Sequence, residues 1–290
     1  MSVIVKFNGG LGNQMFQWAY GRSLASKLNE NLLFDMSFFN KNYSRPFQLE
    51  KVFGLKPEPV KNLKDKIKLE LIWKFRKHLD NKNFLGINFY SEPCFEFCEE
   101  MLNVKPNAYI EGFFQTEKYF KNIESTILKD FTFKCEQDEN NKAIANKILS
   151  TNSVSLHVRR GDYVQKKRYQ DMFATCSLNY YRKAVEYISQ QYPDIVLFVF
   201  SDDIKWVKEN LNLPYEMVYV NFNTGEKSFE DMHLMSLCKH NIAANSSFSW
   251  WGAKLNANKD KIVIFPEKWF NDADVNQKDI AFENALRLPN

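Results

Sequence analysis

At 290 residues, 44% hydrophobic and 26% charged, the chain can bury a full core and is long enough for two domains of ordinary size. Its formal charge of +4 reads as small and dispersed. That excludes a nucleic-acid binder built on a basic stripe and suits an anionic ligand or an acidic membrane surface. The 26 Phe and 13 Tyr suit sugar or base stacking, yet most of these rings must be core.

Residues 3–7 read as a strand, 8–12 as a tight glycine turn, and Phe16, Ala19, Tyr20, Leu24 and Leu28 as one helix face. A short strand follows at 32–34, and 36–105 is less regular. Within it, 61–82 is a basic amphipathic segment with Ile67, Leu71, Ile72, Trp73, Phe75 and Leu79 among lysines and Arg76. Such a segment can lie on an acidic membrane, although more often it is a solvated helix packed on its own domain. Residues 109–114 form a strand that leads into a helix from about Glu117, and a polar stretch at 135–152 marks the domain boundary.

In the second half, strands are predicted at 153–158, 195–200, 216–220, 241–244 and 261–265. Helices are predicted at 178–191, 204–211, 229–239 and 250–256, the third opening on a capping box at Ser228-Phe229-Glu230-Asp231. Strands alternating with helices imply a parallel sheet. The expected fold class is α/β, two Rossmann-like domains facing a cleft, with domains at 1–150 and 151–290.

Cys94, Cys98, Cys135, Cys176 and Cys238 are odd in number, and no second Cys or His pair stands at zinc-ligand spacing. Free thiols in a reducing compartment follow. The first residues lack a signal-peptide apolar region, and no apolar run approaches the ~20 residues of a membrane span. A cytoplasmic protein is expected.

The most informative stretch is Val154 to Val158, alternating with Ser155 and His157 and running into Arg159-Arg160-Gly161-Asp162-Tyr163. Ligands of open α/β sheets sit beyond the carboxyl ends of strands, and arginine grips phosphate with two parallel hydrogen bonds. The plain alternative is a surface turn with weak ion pairs. Gly10-Leu11-Gly12-Asn13-Gln14 joins strand to helix, where glycines allow close backbone approach and helix amides face a ligand. It is neither a dinucleotide fingerprint nor a phosphate loop.

Ser201-Asp202-Asp203 ends an apolar strand. One aspartate suits a helix N-cap, and the other can accept the paired donors of a guanine edge. Asn245-Ser246-Ser247-Phe248-Ser249 crowds hydroxyls and an amide at a strand end, where phosphate or sugar oxygens can be received, with Phe248 available to cover a ring. Trp250 and Trp251 read as core. Glu111 ends a first-half strand and is a candidate general base, balanced by the reading of a solvated strand-end carboxylate.

Together these motifs resemble bacterial α-1,2-fucosyltransferases of glycosyltransferase family 11. The matching pieces are Gly9 to Gln17, Gly112 to Phe120, His157 to Tyr163 and Asn245 to Gly252. The resemblance implies a GT-B-type fold, GDP-β-L-fucose as donor, a galactose-terminated glycan as acceptor (lipid-linked acceptors included), inversion at the fucosyl carbon and no metal or other cofactor. By the same resemblance Arg159 is the main diphosphate ligand, with His157, Ser246, Ser247 and Phe248 around the donor. Asp162 orients Arg159 or holds the fucose. Arg160 is expected to point away from the diphosphate. No motif assigns the base; Glu111 is the candidate, against late proton transfer without one. The resemblance leaves peripheral contact with the inner membrane face open and is silent on oligomeric state. The rival readings are a metal-dependent GT-A glycosyltransferase using Asp272-Ala273-Asp274, and a non-catalytic nucleotide-sugar or glycan-binding module.

Overall fold

The computed structural model describes residues 2–40, 46–79, 81–272 and 274–290, apart from the side chains of Asn40 and Asp162. Two compact units divide at 134/135. Within the polar stretch placed at the boundary, residues 139–149 form a helix, Glu139–Leu149, that packs Ala145 and Ile148 into the second unit's core.

The first unit carries the strands β1 (Ser2–Lys6), β2 (Asn31–Asp35), β3 (Lys82–Phe84), β4 (Ile87–Ser91) and β5 (Ala108–Glu111), in sheet order β2-β1-β5-β4-β3. All neighbours are parallel except the β3–β4 hairpin. Its helices are α1 (Leu11–Leu28), α2 (Leu49–Phe53), α3 (Leu63–Phe75) and α4 (Glu124–Asp130). α1 does more than present the expected stripe: polar Gln14 and Gln17 are also fully buried on it. Aromatic stacking fills this core, with Phe34 between Phe7 and Trp18, and Tyr20 on Phe114 at 3.7 Å.

Three features here differ from the sequence reading. The region 82–91 pairs as a hairpin that short polar strands did not signal. The strand expected to run to 114 stops at Glu111, because the Glu92 carboxylate takes the amides of Phe113 and Phe114 and bends the chain there. Phe114 adopts a left-handed φ of 55° in that bend. Beyond it, the helix expected from Glu117 is two 3-10 turns that lead into α4.

Burial pushes the Glu92 carboxyl up to about 7, against the lowering pull of the two amides. Between its ordinary value and 7 the folded state keeps a proton that the unfolded chain has lost. Stability of the first unit is therefore expected to fall as pH rises through that window, by on the order of 2 kcal/mol. Glu92→Gln should flatten the slope; denaturant titrations at pH 5 and pH 8 check it, and an unchanged slope assigns the proton elsewhere.

The second unit holds helix α5 (Glu139–Leu149) and strands β6 (Asn152–Val158), β7 (Ile195–Ser201), β8 (Glu216–Val220), β9 (His240–Ile242), β10 (Val263–Pro266) and β11 (Leu286–Leu288). Their order, β11-β10-β9-β6-β7-β8, is parallel throughout. Read from β6 this is the 3-2-1-4-5-6 arrangement of dinucleotide-binding sheets, whose direction reverses between β6 and β9. The remaining helices are α6 (Gly161–Gln165), α7 (Lys167–Met172), α8 (Leu178–Ser189), α9 (Ile204–Asn210), α10 (Phe229–Leu237) and α11 (Ser247–Lys254).

β6 and β7 are buried almost end to end, as strands covered on both faces must be. Ser228 does not cap α10: the preceding 3-10 turn runs into the helix, leaving Ser228 already helical and without a side-chain cap bond. Trp250 and Trp251 are core, as expected. All five cysteines are free thiols.

Candidate active site

The switch point of the second sheet lies between the carboxyl ends of β6 and β9, where open α/β sheets place their ligands. The chain leaving β6 supplies Arg159 to Gly161, and the chain leaving β9 supplies Asn245 to Ser247. The two meet where the Tyr163 hydroxyl donates to the Asn245 carbonyl at 3.2 Å.

Asp202, at the end of the neighbouring β7, organises the first segment. One carboxylate oxygen accepts from the Arg160 and Gly161 amides at 2.9 and 3.1 Å. The other meets the Arg159 guanidinium at 2.6 Å. A Cβ on Gly161 would come within 2.4 Å of that second oxygen, so close approach, not an unusual φ, requires the glycine. Asp202 is thus occupied by the 159–161 turn instead of presenting two lone acceptors to a base edge. Asp203 is the N-cap, accepting from the Trp206 amide at 3.2 Å.

The two arginines diverge. Arg159 lies 5.3 Å from the Tyr163 ring centroid. Arg160 stacks its guanidinium 3.6 Å over Trp206 of α9, away from Arg159's partner. The Asp162 backbone sits in α6, and its side chain lies outside the described residues.

His157 is buried, its ring 6.1 Å from that of Phe248. Burial, then the charge of Arg159, pushes its imidazole down to about 3, so it is neutral at working pH. Its Nδ1 is buried without a hydrogen-bond partner among the described residues.

In the serine run, Ser246 caps α11 by accepting from the Phe248 amide. Ser249 is buried and donates to backbone carbonyls of Ala244 and Ser246. The Asn245 amide donates to the carbonyls of Ala174 and Trp269. The Asn245 Nδ2 and the Ser249 hydroxyl therefore brace the loop that holds Ser246, Ser247 and the half-buried Phe248, while the Asn245 Oδ1 is buried without a hydrogen-bond partner among the described residues.

The first unit's glycine turn is built for close packing. Gly9 has φ +77°, and a Cβ there would meet the Asn13 side chain at 2.5 Å. Gly10 is the N-cap of α1, its carbonyl accepting from the Asn13 and Gln14 amides. Leu11 and Gly12 open the helix, and Asn13 accepts from Gln115 at 2.9 Å.

Gln14 was expected on the donor, but both ends of its amide are used internally: it donates to the Gly9 and Pro46 carbonyls and accepts from the Gln48 amide. Gln17, which sequence reading left within a motif without a role, accepts from the Asn8 amide and donates to the Gly112 carbonyl, each at 3.0 Å. It ties together the loops after β1 and β5, the switch point of this sheet.

Glu111, the candidate base, faces Lys6 at 3.9 Å and Arg76 at 3.8 Å, and both cations lie 4.4 Å from the Trp73 ring centroid. These contacts tie the Glu111 carboxylate to β1 through Lys6 and to the turn after α3 through Arg76. Glu92 was missed because nothing local distinguishes it; its environment is assembled by the turn twenty residues later.

The match to the family described as Glycosyl transferase family 11 spans residues 2–285. The chain is 34% identical to the O-antigen biosynthesis glycosyltransferase WbnK of Escherichia coli, over 97% of this chain and 98% of that one. It is also 34% identical to an α-1,2-colitosyltransferase of Escherichia coli, over 99% of both. A galactoside α-(1,2)-fucosyltransferase 2 of Mus musculus is 26% identical over 58% of this chain and 51% of its own. Among solved structures, the NodZ α-1,6-fucosyltransferase soaked with GDP-fucose superposes with a TM-score of 0.54 at 15% identity, covering 88% of this chain and 92% of that one. That likeness gives the fold as GT-B, which replaces the GT-A alternative; the Asp272-x-Asp274 pair sits in an exposed tail where Asp272 accepts from the Asp274 amide. With its two Rossmann-like units and a match running nearly end to end, the chain belongs to glycosyl transferase family 11.

Proposed function

We propose that this glycosyltransferase moves L-fucose from GDP-β-L-fucose to the 2-hydroxyl of a galactose residue, with inversion and without a metal. The observation that carries the reading is Arg159, held by Asp202 at the switch point of a dinucleotide-type sheet. As the glycosidic bond to the leaving phosphate breaks, its electron pair passes to the diphosphate. A preorganised guanidinium stabilises that charge where other transferases use a divalent cation. His157, Ser246, Ser247 and Phe248 surround the donor, and Arg160 supports the turn from Trp206. The acceptor oxygen attacks the anomeric carbon from the opposite face. Because Glu111 is engaged by two cations, the acceptor proton leaves late, to solvent.

The relative named for O-antigen biosynthesis supports a glycan acceptor. Among the described residues no helix is long and apolar enough to cross a membrane. The 34% identity to a colitosyltransferase favours one second reading, a donor sugar lacking the 3-hydroxyl of fucose.

The full chain incubated with GDP-fucose and a panel of galactosides, with and without excess EDTA, should give a fucosylated product by mass spectrometry in both conditions. Loss of product with EDTA, restored by Mg²⁺ or Mn²⁺, overturns the metal-free mechanism. Turnover of GDP-colitose in preference to GDP-fucose overturns the donor assignment, and GDP binding with no transfer to any galactoside overturns the reaction.

A further inference from the structure

The expectation that the positive charge is dispersed is wrong in a specific way. Residues 61–82 hold eight of the chain's 39 basic residues and only three of its 35 acidic ones, so this segment carries +5 and the remainder −1. The same segment contains five of the most exposed large apolar side chains. Leu63, Ile67, Leu71 and Phe75 are 71%, 50%, 36% and 45% exposed. Spaced four apart, they advance only about 40° per step around α3 and form one ridge about 18 Å long.

α3 thus has two apolar sides. Leu69 and Ile72 are buried in the core cluster with Ile4, Ile87 and Tyr109. Among the described residues nothing buries the ridge. Lys64, Lys68 and Lys74 rise beside the ridge, and Lys74 lies 5.8 Å from the Phe75 ring centroid. The basic groups still outnumber the acidic ones on this face: Asp65 pairs with Lys68 and Glu58 with Lys61, both at 3.5 Å and exposed, and the exposed Glu70 is the other carboxylate of α3. The tip of the β3–β4 hairpin adds Leu85, 50% exposed, on a strand whose Lys82 is anchored to the His78 carbonyl just beyond α3.

A contiguous apolar ridge on a soluble face marks an interaction surface. Interleaving that ridge with lysines selects the partner: apolar side chains enter the acyl boundary while ammonium groups stay at the headgroup level. We propose that α3 docks this protein on an anionic lipid surface, with Leu63, Ile67, Leu71 and Phe75 inserted and Lys64, Lys68 and Lys74 on the phosphates. The surface stands independently of the reaction proposed above and of which sugar is moved.

Co-sedimentation of the full chain with vesicles of phosphatidylcholine, with and without phosphatidylglycerol, tests this. Binding is expected only where phosphatidylglycerol is present, and it should weaken with added salt. Lys64→Gln and Lys74→Gln should each weaken it about fivefold. Leu63→Ser with Ile67→Ser, at exposed positions that leave the fold intact, should weaken it about tenfold or more. Transfer to a water-soluble acceptor should be unchanged in all of them.

Equal binding to both vesicles, no binding to either, or wild-type binding by the double serine variant overturns the proposal. So does a dimer in sedimentation velocity that the double serine variant dissolves, since a second copy would then cover the ridge.

Discussion

Arg159→Lys is expected to lower kcat by about 10²–10³, the usual cost of removing one preorganised donor to a developing anion. Lysine keeps the charge but loses the planar fork, so a two-point grip on the diphosphate becomes a single contact. Its shorter reach of donors also disturbs the 2.6 Å pairing with Asp202. Because the leaving diphosphate carries more charge in the transition state than in bound donor, the loss should fall on kcat and leave GDP-fucose affinity within a few fold. Asp202→Asn is the companion. It keeps an oxygen for the Arg160 and Gly161 amides yet removes the charge facing Arg159, and should give an intermediate loss in kcat. Arg160→Lys, losing only its stacking on Trp206, should be the mildest of the three. Steady-state kinetics with donor titration decides the matter: near-normal kcat for Arg159→Lys removes it from the catalytic role.

Trp250→Ala should cost the second unit about 3–5 kcal/mol, the range for truncating a large buried aromatic. Trp250 is fully buried, packs edge-on against Trp251 and Phe282 at 4.9 and 4.7 Å, and donates from its indole nitrogen to the Ile280 carbonyl at 2.6 Å. Truncation leaves both a cavity and an unpaired carbonyl, the latter alone worth about 1–3 kcal/mol. Trp250→Phe refills most of the volume and should recover about half of the loss. Thermal unfolding followed by near-ultraviolet circular dichroism checks both. A shift of under a few degrees for Trp250→Ala would mean that α11 is not anchored through this ring, and the placement of the serine run at its start would lose its support.

Much of the second unit was legible locally. Its inner strands announce themselves by apolar alternation or continuous apolar runs and its longer helices by 3.6-residue periodicity, because both faces of that sheet are covered at its centre, whereas the short edge strand β11 and the short helices α6 and α7 gave no such signal. The first unit was less so between 36 and 105. Strands β3 and β4 are short, and β3 is nearly all exposed, so no periodic burial marks it. Element ends failed where the backbone turned for reasons that period does not show: β5 ends at Glu111 because Glu92, from a different strand end, captures the next turn, and α10 lacks its serine cap because a 3-10 turn runs directly into it.

Residue types were a good guide to where the chemistry lies and a poor guide to which atoms are available for it. The arginine pair and the serine run were identifiable as strand-end motifs from their order in the chain, since period and spacing are properties of a single segment. Which arginine meets Asp202, that the amide nitrogens of Asn245 and Gln14 are braces, and that Glu111 is clamped by Lys6 and Arg76 depended on partners about 30 to 105 residues away. Those pairings follow from which strand ends become neighbours. That neighbourhood is chosen by burial of whole sheets and helices together, a cooperative balance that no single segment encodes.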